Sequence, residues 1–152
     1  MINFRAGILA LALTGFGLSL VARAAPSMDH PGQVADDSAL VTAVNSHRRA
    51  DYVEAGNLVA TKVLPDDTKG LPHQKWEARL STGDVITIIY NLDLGARVPI
   101  QEGESFGVGG QFIPTGKTGI IHWLHDDPRK NRPDGYVYLN GVVYGDTDHE
   151  DK

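Results

Sequence analysis

Two polar segments of the chain, residues 64–76 and 121–129, concentrate side chains that could support acid–base or metal chemistry. The candidate catalytic residues are His73 in the first segment and His122, His125, Asp127 and Arg129 in the second. Imidazole changes its charge near neutral pH and can act as a general acid or base. Imidazole and carboxylate together can also hold a divalent metal ion, so the sequence predicts His122, His125 and Asp127 as metal ligands.

The same segments and two nearby positions supply candidate binding residues. They are Asp66, Asp67, Lys69, Gln74, Asn91, Asp93 and Trp123. Structural alternatives remain open for these groups. The Asp-rich stretch has turn composition, and Asn and Asp are typical of a strand end. A tryptophan is more often part of a core than a stacking platform for a sugar or a base.

Spacing within the second segment restricts a shared site. Successive side chains of a regular strand point to opposite faces, so His122 and His125 face opposite sides unless the chain bends between them. A metal ion or substrate that contacts both histidines therefore requires such a bend. His122 could equally be half-buried, with its ring nitrogens bonded to backbone groups.

The hydrophobic pattern predicts one helix followed by strands. The helix begins at Asp37 or Ser38, with Ser38 as its N-cap, and Gly56-Asn57 predicts a turn after it. Five strands are predicted at residues 57–64, 74–81, 85–91, 105–113 and 119–125. Asn140-Gly141 then lies between alternating β-forming residues, which is typical of a two-residue hairpin with both φ angles positive.

The order of these strands predicts the fold class. Five strands with a longer connection between the third and the fourth are expected of a small five-stranded OB-like Greek-key barrel. The helix precedes that barrel and the hairpin follows it. The glycines at 107, 109 and 110 favour the barrel, because coiled strands need such residues. A small open β-sandwich would give much the same pattern.

The first residues predict export. An apolar run over residues 6–22 follows Arg5 and ends in Ala22-Arg23-Ala24, a small-x-small pattern that suits signal peptidase. We therefore expect residues 1–24 to be a signal peptide and not a membrane anchor, which needs roughly 20 strongly apolar residues. Residues 25–36 have linker composition, residues 37–145 form a single domain, and residues 146–152 are predicted to be a disordered acidic tail.

Charge and composition exclude some function classes. The chain has 14 Lys and Arg residues against 19 Asp and Glu, and loss of Arg5 and Arg23 with the signal would change its net charge from −5 to −7. An acidic domain repels phosphate backbones, so bulk nucleic-acid binding is disfavoured. With no cysteine, the chain has no disulfide, no thiolate zinc ligand and no cysteine nucleophile.

Four short motifs in the same order resemble those of a family of small exported bacterial proteins known as domain of unknown function 3465. The motifs are residues 63–70, 73–76, 91–94 and 122–128. The resemblance runs from about Gly56 to Tyr144 and implies a compact β domain with no assigned activity. It also implies histidines in relatives where this chain has Tyr90, Asp126 and Pro133, which weakens an enzymatic assignment.

Two hypotheses of different class follow from the sequence. The first is an exported, periplasmic or secreted module that binds a small ligand or a protein and spans no membrane after cleavage. The sequence contains neither a Gly-x-Ser-x-Gly nor a His-Glu-x-x-His motif, so no recognised catalytic motif supports an enzyme. The second is a metal-assisted hydrolase, a phosphodiesterase or nuclease, with His73, His122, His125 and Asp127 as ligands or acid–base groups and Arg129 on the phosphate.

Overall fold

The computed structural model describes residue 34, residues 36–67 and residues 69–145, and these form a mainly β domain with one short helix. Its elements in chain order are α1 Ser38–Ser46, β1 Ala50–Asp67, β2 His73–Arg79, β3 Val85–Asn91, β4 Ser105–Ile113, β5 Ile120–His122, β6 Tyr136–Leu139 and β7 Val142–Tyr144. The predicted signal peptide, most of the predicted linker and the predicted tail lie outside the described residues. No helix in the described ranges is long and apolar enough to span a membrane.

All seven strands belong to one sheet with the order β1-β2-β3-β5-β4-β6-β7. Every pairing is antiparallel except that of β3 with β5. The 18-residue strand β1 also pairs with β4 through its first half, and Val59 is a partner of both Arg79 in β2 and Ser105 in β4. The pairings β1-β2-β3-β5-β4 therefore lead back to β1, while β6 and β7 extend the sheet beyond β4.

The five predicted strands and the C-terminal hairpin are all present, and the hairpin matches its prediction in detail. Asn140 and Gly141 have φ angles of 51° and 87° between β6 and β7. Two local predictions were wrong. Gly56-Asn57 is not a turn but lies inside β1, where the register shifts between Ala55 and Leu58 and Asn57 has φ 56°. An Asn in the left-handed region is typical of a β-bulge, which continues the strand where a turn would end it.

The helix cap also differs from the prediction. Asp37, and not Ser38, is the N-cap, and its side chain makes no capping hydrogen bond. The buried Asp37 carboxylate accepts hydrogen bonds from the backbone N–H and the hydroxyl of Ser81, each at 2.7 Å. This contact attaches the start of α1 to the turn between β2 and β3, so the helix is part of the domain.

The core is built from alternate residues of the paired strands. Trp76 in β2 is fully buried and contacts Phe106 in β4 edge-on, with ring centroids 5.7 Å apart. Leu40 and Val44 of α1 cover this core from one side. Each such buried side chain contributes about 1.5–3 kcal/mol relative to exposure, which is sufficient for a domain without disulfides. The alternate positions of the same strands point outward and are free to form a site.

Glycines of β4 allow other groups to approach its backbone closely. A Cβ on Gly109 would lie 2.3 Å from Cε1 of Tyr136, and one on Gly110 would lie 2.8 Å from the carbonyl oxygen of His122. The chain after β5 can therefore cross β4 directly over Gly110. This crossing places residues 122–124 next to β4, with the Leu124 side chain in the core.

Candidate functional site

His73 and His122 lie next to each other on the outer face, although they are distant in sequence. His73 is the first residue of β2 and His122 the last of β5, and their ring centroids are 5.9 Å apart. Both side chains are half-buried. Burial lowers the pKa of His122 below its ordinary value of 6.5, and the nearby His73 and His125 lower it further. His122 is therefore neutral at neutral pH and can accept a hydrogen bond or a proton.

Trp123 makes the bend that the spacing of the histidines requires. Its φ of 62° lies in the left-handed region, which costs a bulky residue about 1–3 kcal/mol. Its indole Nε1 is buried and has no hydrogen-bond partner among the described residues. The left-handed backbone is unfavourable for folding alone, and such strained residues are found preferentially at functional sites.

The bend brings His125 back against the Trp123 ring. The two ring centroids are 4.5 Å apart, and only 3% of His125 is exposed. The Nδ1 atom of His125 lies 2.6 Å from the carbonyl oxygen of Asp126, and because a carbonyl oxygen only accepts, this nitrogen is the donor. His125 thus lies behind Trp123 as a buried and partly satisfied group.

Asp127 organises the loop that follows. Its carboxylate accepts hydrogen bonds from the backbone N–H groups of Arg129, Asn131 and Arg132, at 3.1, 2.7 and 2.9 Å. Burial opposes ionisation of Asp127, but these three N–H groups together outweigh it and hold the pKa of the carboxyl below its ordinary value. Its own N–H donates to Asp134 Oδ1 at 2.8 Å. Asp127 therefore closes the loop 127–134 as a structural acceptor.

The loop 127–134 positions Arg132 against Trp123. The Cζ atom of its guanidinium lies 4.9 Å from the Trp123 ring centroid, a cation–π contact. The guanidinium also reaches Gln111 of β4, which pairs directly with His122 of β5. With the amide oriented to satisfy its neighbours, Gln111 Oε1 accepts from Arg132 Nη1 at 3.2 Å and from Arg49 Nη2 at 2.8 Å.

These residues form one continuous surface, which we call the histidine–arginine patch. It consists of Arg49, His73, Gln111, His122, Trp123, His125 and Arg132. Of the residues predicted from the sequence, His73, His122, His125 and Trp123 are brought together here. Trp123 has His125 and Arg132 against its ring, so it supports the arginine instead of offering a bare stacking surface.

Other predicted catalytic and metal residues lie differently. Arg129 is exposed, and its backbone N–H is what contacts Asp127. Across the described ranges, no three His, Asp or Glu side chains are arranged to hold a metal ion. The predicted set of His122, His125 and Asp127 is not assembled, because the Asp127 carboxylate is directed at backbone N–H groups of its own loop.

The predicted binding residues of the first segment lie at the border of the patch or away from it. Asp67 is the β1 partner of His73, and its Oδ1 accepts from Lys69 N–H at 3.2 Å. Asp66 forms an exposed ion pair with Arg97. Lys69 is exposed. Of Asp66, Asp67 and Lys69, only Asp67 adjoins the patch, through its pairing with His73.

The predicted binding residues near the third strand have structural contacts. The Gln74 side chain is buried, donates to the carbonyl of Val98 at 2.7 Å and accepts from its N–H at 3.0 Å. Asn91 Oδ1 accepts from the N–H of the exposed Asp93 at 2.8 Å, which forms the turn that ends β3. These contacts fasten the connection after β3 to the sheet.

Three patch residues were not predicted from the sequence. They are Arg49, Gln111 and Arg132. Gln111 did carry a signal, because it is the one large polar side chain in the otherwise apolar or glycine-rich β4 run Phe106–Ile113. A buried amide in such a strand needs a partner. The arginines carried no such signal, since their positions depend on a bulged strand and a loop.

Comparison with known proteins gives a family and no function. The family model described as "Protein of unknown function (DUF3465)" matches residues 23–145, most of the chain. No curated protein and no solved structure shows significant similarity. The resemblance of the four motifs is thereby confirmed: the chain belongs to the family of proteins of unknown function DUF3465.

Proposed function

We propose that the domain is an exported, periplasmic or secreted, binding module that takes a small ligand at the histidine–arginine patch. In this proposal the strands β1-β2-β3-β5-β4 form an OB-type Greek-key barrel. Support comes from the pairing of β1 with both β2 and β4, and from the 92–104 connection between β3 and β4. OB barrels bind their ligands on the face of the second and third strands and on adjacent loops.

One observation carries the proposal. Side chains from β2, β4, β5 and the 127–134 loop converge on one outer face, where Arg132 lies over Trp123 and His73 lies beside His122. The convergence includes a tryptophan whose backbone lies in the left-handed region. A purely structural loop would not need this cost, whereas a ligand that binds the arranged side chains would offset it.

Binding is favoured over catalysis by the state of the polar groups. Asp127 accepts hydrogen bonds from three N–H groups, and His125 is buried with Nδ1 engaged. Neither is therefore placed to move a proton to or from a ligand on the surface. Arg132 and His122 are placed to contact one, and both act without chemical change.

A metal-assisted hydrolase remains the second candidate, because one observation favours it. His73 and His122 form a close pair in which His122 is held neutral, and neutral imidazole is the form that ligates a metal or acts as a base. A divalent ion would then be held by two imidazoles, with its other positions filled by water or substrate. The imidazole signals of His73 and His122 should in that case broaden or shift on addition of Mn²⁺ or Zn²⁺.

Nuclear magnetic resonance titration of the purified protein tests the binding proposal. The chain has two tryptophans, of which Trp123 lies in the patch and Trp76 is fully buried in the core. We expect at least one of three probes, a nucleoside monophosphate, succinate or a neutral trisaccharide, to shift the Trp123 indole and His122 signals saturably. The Trp76 indole signal is the internal control. Saturable shifts confined to residues outside the patch would contradict the proposal.

The same titration in the His122→Ala variant controls for non-specific effects. Loss of saturation at Trp123 in that variant, with an unchanged Trp76 signal, assigns the binding to the patch. Equal affinity in the variant and the unmodified protein would place the ligand elsewhere. Hydrolysis of bis-p-nitrophenyl phosphate in the presence of Mn²⁺ would instead favour the second candidate.

A further inference from the structure

Two guanidinium groups meet at a single neutral oxygen in the histidine–arginine patch. Gln111 is only 5% exposed, and its Oε1 accepts from both Arg49 and Arg132. Like charges at this separation repel each other, and an amide oxygen compensates them only through its dipole. The arrangement is favourable when an anion lies between the two groups.

The carboxylates nearby do not neutralise the pair. Asp51 approaches Arg49 Nε at 3.4 Å, but the side chains are 55% and 89% exposed, so the attraction is weakened by solvent. Asp127 attracts Arg132 through its charge, but its oxygens accept from backbone N–H groups and it forms no ion pair with Arg132 in the described part of the chain. The two guanidinium groups therefore meet on a chain with a net charge of −5, and among the described residues their one ion pair with a carboxylate is the exposed contact with Asp51.

Space and donor geometry complete the site. A recess of about 300 Å³ lies beside Arg132 and is lined by Asp51, Asn131, Arg132 and Pro133. The Arg132 guanidinium lies against the Trp123 ring, which restricts its position. A fixed guanidinium fork suits two oxygens of one carboxylate or phosphate, and a recess of this size accommodates a small molecule.

We propose that the patch binds an oxyanion, the phosphate or carboxylate group of a small ligand, between Arg49 and Arg132 above Gln111. The inference rests on the proposed binding function and names the chemical class of its ligand. Gln111 acts as a positioning residue that holds the two guanidinium groups, and His122 borders the bound group. Asp51 and Asn131 are then available to accept from or donate to the rest of the ligand.

Titration of the purified protein with inorganic phosphate, a nucleoside monophosphate and succinate tests this inference, with the neutral trisaccharide as the uncharged probe. We expect phosphate-bearing probes, succinate or both to bind, with affinity that falls as NaCl is raised. Binding of the phosphate probes alone assigns the site to phosphate, and binding of both classes assigns it to oxyanions in general. Trisaccharide binding without any anion binding would overturn the inference and leave the binding function intact.

Variants locate the site. Arg132→Gln and Arg49→Gln should each weaken anion binding about tenfold or more, because each removes a charge-assisted hydrogen bond. Arg79→Gln, which removes the same charge from the far end of β2, should keep the affinity within about twofold. If Arg132→Gln disturbs the fold, Arg49→Gln and Arg132→Lys provide the same test. Equal weakening in Arg79→Gln and Arg49→Gln would show non-specific charge attraction and overturn the inference.

Discussion

The two Asp-rich segments of this chain look alike in sequence and serve different purposes in the structure. In the first, Asp66 lies on the surface and pairs with Arg97, with a contact of 3.4 Å between Arg97 Nη1 and Asp66 Oδ1. In the second, Asp127 is 4% exposed and accepts three backbone hydrogen bonds. The Asp66 carboxylate forms an exposed ion pair near the end of β1, whereas the Asp127 carboxylate holds the loop 127–134 together.

This difference shows how a site can be assembled by a residue that does not belong to it. Asp127 has the residue type expected of a ligand or a base, yet what it supplies is the shape of the 127–134 loop. That shape places Arg132 over Trp123 and against Gln111. The first segment contributes His73, whose β1 partner is Asp67, and its Asp-rich stretch does not shape the patch. Matched substitutions in the two segments test this difference.

The largest contrast is expected between two glycines. A Cβ on Gly135, at the end of the second loop, would lie 2.0 Å from the Trp123 carbonyl oxygen and 2.9 Å from that of Gly109. Both are backbone atoms, so Gly135→Ala should destabilise the domain by about 3 kcal/mol. Gly70 has φ +86° and no atom within 4 Å of its Cβ position, so Gly70→Ala should cost only about 1 kcal/mol. Urea denaturation measures both values, and equal losses would contradict the contrast.

The next contrast concerns the two aspartates. Asp127→Ala leaves three backbone N–H groups of a tight loop without an acceptor, so the free energy of unfolding should fall clearly. Asp66→Ala removes an exposed ion pair with Arg97 and should cost at most about 1 kcal/mol. Thermal unfolding followed by circular dichroism ranks the two variants. A larger loss of stability for Asp66→Ala than for Asp127→Ala would show that the second loop is not organised as described.

The pH dependence of stability should carry a contribution from His122. Its pKa is lowered in the folded protein from 6.5, first by burial and then by His73 and His125. The unfolded chain therefore binds the proton more tightly, so this contribution is fully present above pH 6.5 and is lost as the pH falls through the folded-state pKa. Denaturation between pH 5 and 8 should show a decrease in stability below about 6.5 that is smaller in His122→Ala. An unchanged slope in the variant would remove His122 as its source.

The smallest effect is expected at Lys69 in the first segment. Its side chain is exposed, and the described contact is made by its backbone N–H to Asp67. Lys69→Ala should therefore change the free energy of unfolding by no more than about 0.5 kcal/mol and leave ligand affinity unaltered. A loss of affinity in this variant would show that Lys69 takes part in ligand binding.

The parts of the fold that could be predicted are those set by neighbouring residues in the sequence. Asn140-Gly141 adopts positive φ angles wherever it joins two strands, so the hairpin follows from the dipeptide and its neighbours. β3 and β4 were predicted with their correct bounds because β-forming residues fill both. Gly56-Asn57 has the composition of a turn, but pairing with β4 on one side turns it into a bulge of a longer strand.

The site was predictable only in part, because its geometry is not local. The imidazole side chains of His73 and His122 indicated acid–base or metal chemistry. Their contact, however, depends on the strand order, in which the single strand β3 lies between β2 and β5. Gln111 reaches His122 only through the β4–β5 register. Arg132 rather than Arg129 reaches the patch because Asp127 bonds to N–H groups along the loop, and their directions cannot be read from composition.

The loop 127–134 places Arg132 in the ligand site, whereas the exposed Asp66 of the first segment does not shape the site. The most direct measurement is the affinity of a nucleoside monophosphate and of succinate for the unmodified protein, Asp66→Ala and Asp127→Ala, read from the Trp123 indole signal with Trp76 as reference. We expect unchanged affinity in Asp66→Ala and at least about tenfold weaker binding in Asp127→Ala, because Arg132 loses its position. Unchanged affinity in Asp127→Ala together with weakened binding in Asp66→Ala would contradict it.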